Sequence, residues 1–520
     1  EAGTRAMREQ FGNPSSSHSD GIVAKVLLDQ TRATAAQVLG AGDGRMVFTS
    51  GATEGIQTAV LSALRAIGPR NASQGNLLVY GATEHKAVPQ ALEHWNQVLG
   101  LGLELRALPV DDNGQHALHL LAERLPTTAL LCTMAANNET GVVTNLPAIQ
   151  AMLLQSHGKT LWLVDCVQAL GKMALDLQSS RIDYAAFSGH KLYAPKGIGM
   201  LYVRRGAPFT PLMAGGGQEG GLRSGTENMP GIAALGAVLG ALQQGDTFAS
   251  HATLRAYRDQ LEQALRDAFP SIVFNAPLDH SLPTTLNFSV PGICSKTMLD
   301  VFDAAGLRVS AGSACSAAKS APSYVLEAMG LPAWRTQSAV RLSIGPLTDA
   351  AFVQAACTAI ARCGQALVKL LGSDEEEAAA SSGATMADVP CSASHVAAMT
   401  LQWSELTSFL AANPDTSLLD VREAAEHYAG SGLRFGSLAA INVPLSTMAT
   451  LASTWLETRA APVVLVCRSG NRSLKAAQWL HSQGFEKVRH LHGGLALRPL
   501  AAHTALTQSA IPKSARTVTA

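Results

Sequence analysis

The amino-acid sequence predicts an α/β protein with a mainly parallel sheet, followed by a second and smaller α/β domain. The chain has 520 residues, more than one hydrophobic core usually organises. In roughly the first 370 residues, short apolar runs alternate with longer helical patterns, an order typical of parallel sheets. The composition changes abruptly near Gly372, where an acidic and small-residue stretch separates two globular patterns.

The candidate strands of the first part are short and apolar, with helical periodicity between them. Ile56, Val60, Leu64 and Ile67 are spaced for one face of a helix. Strands are predicted at Met46–Thr49, Asn76–Tyr80, Ala129–Met134, Thr160–Asp165, Tyr184–Ser188 and Gly199–Val203.

Four segments follow from these patterns. Residues 1–372 form the large α/β part, and 373–395 form a linker, because SDEEEAAASSGATMADVPCSAS has too little apolar surface to fold alone. Residues 396–505 form the second domain, with strands at Ser417–Val421 and Val463–Cys467. We expect the remaining tail, 506–520, to be disordered.

Composition excludes several partners. Lysine plus arginine total 39, as do aspartate plus glutamate, so no concentrated basic face for nucleic acid or a membrane surface is indicated. No apolar run approaches the length of a membrane-spanning helix, and we expect no membrane partner. The eight cysteines are scattered singly, which favours free thiols in a reducing compartment, cytoplasmic or organellar, and no metal site is predicted. Because the chain begins at Glu1, we expect an upstream segment to be missing.

The segment DYAAFSGHKLYAPKGIG carries the first chemical signal. A strand ends near Phe187, and the turn that follows places Lys191 at the carboxyl end of that strand, where α/β folds bind ligands. A lysine there suits a Schiff base, with Ser188 and His190 as phosphate contacts. The alternative is a solvated surface lysine.

A carboxylate precedes this segment at the end of the strand LWLVD. Asp165 suits the ring nitrogen of pyridoxal phosphate, since a protonated ring is the better electron sink, and Gln168 suits the ring hydroxyl. The alternative for Asp165 is a carboxylate that caps a turn.

Two upstream turns add candidates for the same cofactor. In MVFTSGATEGIQ, Ala52 and Thr53 lie at a helix N-terminus, a natural phosphate site. His85, in GATEHKAVPQ, follows another strand and suits a ring-stacking proton carrier, although a lone histidine is more often structural.

Two residues suit the handling of a substrate. Cys315, in VSAGSACSAAKSAP, lies among small residues that predict an exposed, mobile loop, whereas Cys132 has aliphatic neighbours typical of a core. Arg341, in AVRLSIG, is either structural or a clamp for a substrate carboxylate.

The second domain carries its own cysteine, in VVLVCRSGNRSLKAAQWL. Cys467 ends a buried strand, and the RSGNR loop would curl its amides around the sulfur before a helix begins near Asn471. Arg468 and Arg472 add positive charge that stabilises a thiolate or persulfide, and we expect both to bind the substrate of this site. The alternative is a buried strand-end cysteine without chemistry.

Taken together and in order, these segments resemble the cysteine desulfurases of the class V aminotransferase fold, specifically the group with the longer cysteine loop. The resemblance covers roughly residues 9–365 and implies a pyridoxal-phosphate-dependent transferase fold, with a large parallel-rich sheet domain and a small α/β domain. Ten motifs carry it: FGNPSSSH, FTSGATE, ATEHKAV, NNETGVV, VDCVQALGK, FSGHKLYAPKGIG, GGGQEGGLRSGTEN, SAGSACSA, PSYVLEAMGL and RLSIG. The family's opening Ala-Thr-Thr-Pro turn would precede Glu1.

The resemblance also implies residue roles. Lys191 would hold pyridoxal 5'-phosphate, Cys315 would take sulfur from L-cysteine, and Arg341 would bind the substrate carboxylate with help from Asn138. Thr226 would reach the phosphate of a neighbouring subunit, which implies a homodimer. The phosphate would be bound by Ala52, Thr53, Ser188 and His190, and the ring surrounded by Asp165, Gln168, Asn138 and His85.

Residues from Ser417 to about Gly494 resemble the rhodanese domain, including Asp420 and Arg422 in its opening DVR. Four residues lie between Cys467 and Arg472, a ring sized for sulfur, whereas related phosphatases use a longer loop. The sequence departs from the family pattern at Phe435-Gly436, where Gly-His is usual, and at Arg498, where a tryptophan is usual; both positions are interpreted as structural.

The resulting hypothesis is a desulfurase that forms a persulfide on Cys315 and relays sulfur to Cys467 or to acceptor proteins, such as an iron–sulfur scaffold or a tRNA-thiolation enzyme. Selenocysteine lyase is an alternative with the same fold and cofactor. A second alternative makes the C-terminal module a recruitment domain without catalysis.

Overall fold

A computed structural model describes residues 1–68, 75–156, 159–311, 322–371, 391–430, 432–451 and 459–499. Cys315, most of the predicted linker and the predicted tail lie outside these residues. The chain divides into two compact units. The first comprises 1–259, 273–292 and 310–348, and the second comprises 260–272, 293–309 and 349–520.

A seven-stranded sheet forms the centre of the first unit. Its order is β1-β7-β6-β5-β4-β2-β3, and β7 alone among these strands runs against the others. The mainly parallel sheet is therefore confirmed, and the six predicted strands begin and end within one residue of the prediction, whereas β3 was not predicted. The bounds are β1 Arg45–Thr49, β2 Leu77–Gly81, β3 Glu104–Leu108, β4 Thr128–Met134, β5 Leu161–Asp165, β6 Tyr184–Ser188 and β7 Gly199–Val203.

Helices cover both faces of this sheet. Along β5, Trp162 and Val164 pack into one hydrophobic cluster, while Leu163 packs into a second cluster on the other face. Burial on both faces explains why the parallel strands read as continuous apolar runs. The helices of this unit are α1 Ala2–Glu9, α2 Ser19–Val38, α3 Ala52–Ile67, α4 Ala87–Val98, α5 Leu118–Arg124, α6 Leu146–Gln155 and α7 Met229–Gln244.

A small antiparallel sheet, with the order β10-β11-β9-β8, also belongs to the first unit. Its strands are two to five residues long, which is why no periodic signal in the sequence predicted most of them. The bounds are β8 Val273–Phe274, β9 Thr285–Ser289, β10 Ser310–Ala311 and β11 Val340–Ser343, with helices α10 Tyr324–Ala328 and α11 Ala333–Ser338 nearby in the chain.

The second unit contains a five-stranded parallel sheet, with the order β12-β18-β17-β13-β16. A two-stranded ribbon, β14 Arg434–Phe435 with β15 Leu438–Ala439, accompanies it. The sheet strands are β12 Thr400–Leu401, β13 Ser417–Asp420, β16 Ile441–Asn442, β17 Val463–Val466 and β18 Val488–Leu491.

The helices of the second unit come from both sides of the predicted linker. Helix α8 His251–Ala268 crosses from the first unit into the second. The others are α9 Ser295–Ala304, α12 Ala350–Leu371, α13 Ala393–Met399, α14 Leu406–Ala412, α15 Ala424–Ala429, α16 Met448–Leu451 and α17 Asn471–Ser482. Helix α15 packs against α9 and α12, so these helices join the C-terminal sheet in one unit.

One expectation about membranes needs correction. Residues Ala350–Val368 of α12 are long and apolar enough to cross a membrane by length and composition alone. Packing already buries 44% of that stretch. Because the core helix of a globular domain meets the same criterion, this is weak evidence for a membrane span.

Candidate active sites

The first candidate site lies along the carboxyl edge of the seven-stranded sheet. Six strands of this sheet run in the same direction and end at this edge, and the candidate residues lie at or after the ends of five of them, β1, β2, β4, β5 and β6. The residues that follow them are those singled out from the sequence, and parallel topology therefore brings together segments that are far apart in the chain. They are Ala52 and Thr53, His85, Asn138, Asp165 and Gln168, and Ser188, His190 and Lys191.

The N-terminus of α3 meets the end of β6. The Ala52 amide donates to Ser188 Oγ at 2.9 Å, and both residues are buried. The two groups predicted to bind phosphate therefore bind each other, but the Ser188 hydroxyl keeps its proton for an acceptor. Thr53 is exposed in the first turn, where backbone amides lack intrahelical partners. A Cβ at position 199 would lie 2.6 Å from Gly51 Cα, so only glycine permits this approach.

Asp165 is buried at the end of β5, and its Oδ1 accepts from the Val167 amide at 3.0 Å. Burial raises the pKa of this carboxyl above its usual value, although the Val167 amide and the nearby His85 and Lys191 counteract the rise. The sheet topology thus brings an amine, an imidazole and a buried carboxylate to the same edge.

The orientation of His85 is fixed by its own turn. Its Nδ1 accepts from the Ala87 amide at 3.2 Å, which leaves Nε2 as the protonated nitrogen of the neutral ring. His190 and Lys191 lie on a single 3₁₀ turn, Gly189–Leu192, and both are exposed. Burial, Lys191 and Lys196 lower the pKa of His190, so its ring favours the neutral form.

Lys172 is a member of this site that sequence reasoning missed. Its Nζ donates to Gln168 Oε1 at 2.7 Å, so one acceptor predicted for the cofactor is already engaged. Burial first, and then Lys191 and Arg341, lower the pKa of Lys172 to about 8. The four-residue spacing between Gln168 and Lys172 was the signal available in the sequence.

Arg341 and Asn138 are in contact, as the prediction of a shared substrate site requires. The guanidinium group binds the backbone carbonyl of Asn138, however, rather than lying beside its side chain. Arg341 Nη1 donates to the Asn138 carbonyl at 2.6 Å, and Nη2 lies 3.4 Å from Ser310 Oγ. Arg341 therefore also positions the Asn138 backbone. The buried Asn138 Oδ1 has no hydrogen-bond partner among the described residues, which is unusual for a buried amide oxygen.

Glu139 is a second group that the sequence did not indicate. It is 1% exposed, and its Oε2 accepts from the Ser323 hydroxyl at 2.6 Å. Burial raises its pKa to about 7, although Ser323, Arg341 and Lys86 lower it.

Two predicted residues stand apart from this constellation. Thr226 is exposed near the N-terminus of α7 and lines a cavity with Ser50. Cys315 lies outside the described residues, so its predicted role stays a prediction.

The described residues fit pyridoxal phosphate. A lysine amine and a buried carboxylate lie near each other, a helix N-terminus and a serine hydroxyl offer phosphate donors, and Asn138 Oδ1 is left unsatisfied. These donors and acceptors match an aldehyde cofactor with a basic ring nitrogen and an anionic phosphate.

The second candidate site surrounds Cys467, at the end of β17. Its buried Sγ accepts from the Gly470 amide at 3.2 Å and the Ser473 amide at 3.4 Å, and lies 3.5 Å from Ser473 Oγ. Gly470 has a φ of 90°, a conformation that suits glycine and turns the loop into α17. Amides at a helix N-terminus stabilise a sulfur anion, so the predicted nest is present.

Both arginines of this loop have carboxylate partners. Arg472 donates to Glu426 through Nη1 at 2.5 Å and Nη2 at 2.8 Å. Arg468 pairs with Asp300 through Nη1 at 2.6 Å and with Asp303 through Nε at 3.2 Å. The sequence assigned these guanidinium groups to a substrate, but in the structure they form ion pairs, because α9 and α15 bring acidic residues that lie far from the loop in sequence.

A buried polar cluster supports the cysteine loop from β13. Arg422 binds both oxygens of Asp420, and His427 Nδ1 lies 2.9 Å from Asp420 Oδ2. Burial alone would raise the pKa of Asp420, but these hydrogen bonds and the Arg422 charge outweigh it and lower the pKa. Asp420 is thus an ionised, structural carboxylate.

Phe435 and Arg498, the two positions at which the sequence departs from the rhodanese pattern, pack together. The Arg498 guanidinium lies 5.0 Å from the centre of the Phe435 ring and 6.0 Å from that of Trp403. Trp403 Nε1 in turn donates to the Gly494 carbonyl at 2.9 Å. These contacts place Phe435 and Arg498 in a packing cluster rather than at the sulfur.

Two family models match the chain. The model described as "Aminotransferase class-V" matches residues 1–355, and the model described as "Rhodanese-like domain" matches residues 403–497.

Individual proteins show the same similarity. The chain is 39% identical over 348 residues to cysteine desulfurase 2 of Trichormus variabilis, covering 66% of this chain and 84% of that relative. It is 37% identical over 344 residues to cysteine desulfurase NifS of Azotobacter vinelandii, covering 65% and 82%. Among solved structures, a NifS-like protein is 32% identical with a TM-score of 0.63, covering 71% of this chain and 94% of that one. DndA from Streptomyces lividans is 33% identical with a TM-score of 0.55, covering 66% and 95%.

Proposed function

The chain belongs to the aminotransferase class-V family, and from that membership we propose that it releases sulfur from L-cysteine and passes it on as protein-bound persulfide. It is a pyridoxal-phosphate-dependent enzyme with a C-terminal rhodanese domain, and the predicted fold class is confirmed. The relatives named cysteine desulfurase support L-cysteine as the substrate.

The observation that carries the proposal is the sheet topology, which brings His85, Asp165 and Lys191, at or just after the ends of β2, β5 and β6, to one edge of the sheet. When bound, pyridoxal phosphate supplies an electron sink for the carbanion formed beside an amine. The buried carboxylate of Asp165 would stabilise a protonated ring nitrogen, and Lys191 would hold the cofactor aldehyde. His85 has an Nε2 proton to exchange with substrate because its Nδ1 is engaged by the Ala87 amide.

Arg341 and Asn138 would hold the substrate. The guanidinium suits the carboxylate of L-cysteine, and its bond to the Asn138 carbonyl fixes the backbone from which the unsatisfied Oδ1 projects. The Cys315 thiolate would then attack the substrate sulfur. The sulfur–carbon bond breaks, its electron pair and a proton remain with the carbon product, alanine, and the sulfur remains on Cys315 as persulfide.

Cys467 is proposed as the next carrier. The amides of Gly470 and Ser473 that face its sulfur would stabilise the thiolate before transfer and the persulfide afterwards. A chain that carries both cysteines also raises the local concentration of one around the other. Final acceptors would be an iron–sulfur scaffold or a tRNA-thiolation enzyme.

A homodimer is proposed as the assembly. Large apolar side chains are exposed on and beside α1 and α2, namely Met7, Phe11, Ile22, Val23 and Val26, and a second copy would cover them. Thr226 is exposed, as a residue that reaches a partner subunit must be.

Purified chain with added pyridoxal phosphate tests the first half of this proposal. We expect a visible absorbance band from the cofactor and release of one alanine per sulfur from L-cysteine. A colourless protein that gains no activity with the cofactor would contradict it. Faster turnover of selenocysteine than of cysteine would favour the lyase instead.

Mass spectrometry after cysteine turnover tests the relay. We expect persulfide on Cys315 and on Cys467 in the intact chain, and on Cys315 alone in Cys467→Ala. Persulfide confined to Cys315 in the intact chain would rule the relay out and leave the C-terminal domain a recruitment module.

A further inference from the structure

Two acidic residues of α9 lie against the Cys467 loop. Asp300 and Asp303 are three positions apart, so they share one helix face. Asp300 Oδ1 is 2.6 Å from Arg468 Nη1, and Asp303 Oδ2 is 3.2 Å from Arg468 Nε. Their side chains are 13% and 24% exposed, which screens them less than fully solvated carboxylates.

Asp300 also influences Arg472, the other arginine of the loop. The bidentate Glu426 chiefly raises the pKa of Arg472, and Asp300 and Cys467 add to the rise. Asp300 therefore lies within electrostatic reach of both guanidinium groups and near the sulfur site. The positive charge around Cys467 is opposed by three carboxylates, those of Asp300, Asp303 and Glu426.

We propose that Asp300 and Asp303 set the donor specificity of Cys467 by pairing with Arg468. A small dianion such as thiosulfate needs unpaired guanidinium donors and is repelled by nearby carboxylates. A persulfide presented by a protein carries one charge on sulfur and depends on the loop amides instead. The inference rests on the proposed sulfur-carrier role of Cys467 and deepens it: the site discriminates against small dianionic donors and in favour of persulfide.

The reaction that measures this discrimination is simple. The Cys467 thiolate attacks the outer sulfur of thiosulfate, the bond between the two sulfur atoms breaks, and sulfite leaves with the electron pair. Cyanide then takes the outer sulfur of the persulfide as thiocyanate and regenerates the thiolate. No other oxidant or reductant is required.

Sulfur transfer to cyanide would be measured for the full chain and for its Asp300→Asn/Asp303→Asn variant. Each protein would be assayed with two sulfur donors, the dianion thiosulfate and the monoanion benzenethiosulfonate. We expect the KM for thiosulfate to fall about tenfold in the variant and that for benzenethiosulfonate about threefold, since Coulomb energy scales with donor charge. The kcat should change little, because the amides that face the sulfur remain. Asp300→Glu/Asp303→Glu keeps the charge and should keep the high KM.

Asp267→Asn is the matched control, since Asp267 lies in the same unit and only accepts a surface bond from Gln263. The single variant Asp303→Asn guards against a folding defect, and a smaller fall in its KM would support the proposal. Equal KM values in the wild-type and the doubly neutralised chain, with L-cysteine still labelling Cys467, would overturn the specificity inference alone. Failure of every donor to label Cys467 in every variant would overturn the carrier role with it.

Discussion

Two buried aspartates show how differently the two sites are built. Both Asp165 and Asp420 end a parallel strand, yet the pKa of Asp165 is raised and that of Asp420 is lowered. Asp420 has Arg422 and His427 in direct contact, whereas at Asp165 burial prevails over the hydrogen bond from the Val167 amide and the charge of Lys191.

This difference shows at which of the two sites the charged and polar groups find their partners within the chain. Around Cys467, every named charge has a partner within the chain, and the loop amides already face the sulfur. Around Lys191, burial raises the pKa of Asp165, and Asn138 Oδ1 has no partner among the described residues, as we expect of a site that receives a cofactor. Changes at the first site should therefore reduce activity, and changes around the second should reduce stability.

Among the variants of the first site, Lys191→Ala is expected to reduce enzyme activity most. We expect alanine release from L-cysteine to fall at least about 10³-fold, because the amine that holds the cofactor is lost, while the thermal midpoint changes little. Alanine assays and thermal unfolding measure both. Lys196→Ala, an exposed lysine of the same segment, is the control. A variant that keeps full activity would show that the site is elsewhere.

Asp420→Ala tests the expectation that changes at the second site reduce the free energy of unfolding rather than the release of alanine. Removing one partner of a buried ion pair costs about 3–5 kcal/mol, because Arg422 is left buried and charged. Urea unfolding followed by tryptophan fluorescence would show the loss, and alanine release should persist below the transition.

The pH dependence of the free energy of unfolding provides a second test of the ionised Asp420 carboxylate. Since the folded-state pKa of Asp420 is depressed, its contribution is present above the unfolded pKa and is lost as pH falls through the folded pKa. The wild type should lose this stability in acid, and Asp420→Asn should lack that part of the dependence. An unchanged acid profile would contradict the assignment.

Glu139→Gln tests a carboxyl with the opposite shift. Burial raises the pKa of Glu139 to about 7. Its contribution to the free energy of unfolding is therefore fully present below the unfolded pKa and declines as pH rises toward 7. The decline is at most about 1.4 kcal/mol per pH unit for one proton. Glu139→Gln should flatten this profile, and Glu9→Gln, an exposed helix residue, should not. A profile that stays steep in Glu139→Gln would assign the proton to another group.

Arg498→Met is the smallest expected effect. The variant keeps an apolar stem but removes the charge over Phe435 and Trp403, which should cost about 0.5–1 kcal/mol of domain stability. Denaturant unfolding would measure it, and persulfide formation on Cys467 should be unchanged. Loss of that persulfide would place Arg498 in the sulfur site.

The sequence by itself determined six strands of the seven-stranded sheet, the α/β class and the groups at the sheet edge. Buried parallel strands are short apolar runs, and the residues that follow them are placed by topology at one edge. The Cys467 nest was also predicted, since a loop of fixed length between a strand and a helix sets where its amides point.

Only the tertiary structure decided which of these groups are already engaged. The partners of Arg468, Arg472 and Gln168 are Asp300, Glu426 and Lys172, and the first two come from helices distant in sequence. Ion pairs and burial depend on distances between elements, which local periodicity does not encode. Whether a charged residue binds a substrate or a neighbouring side chain is therefore decided by packing.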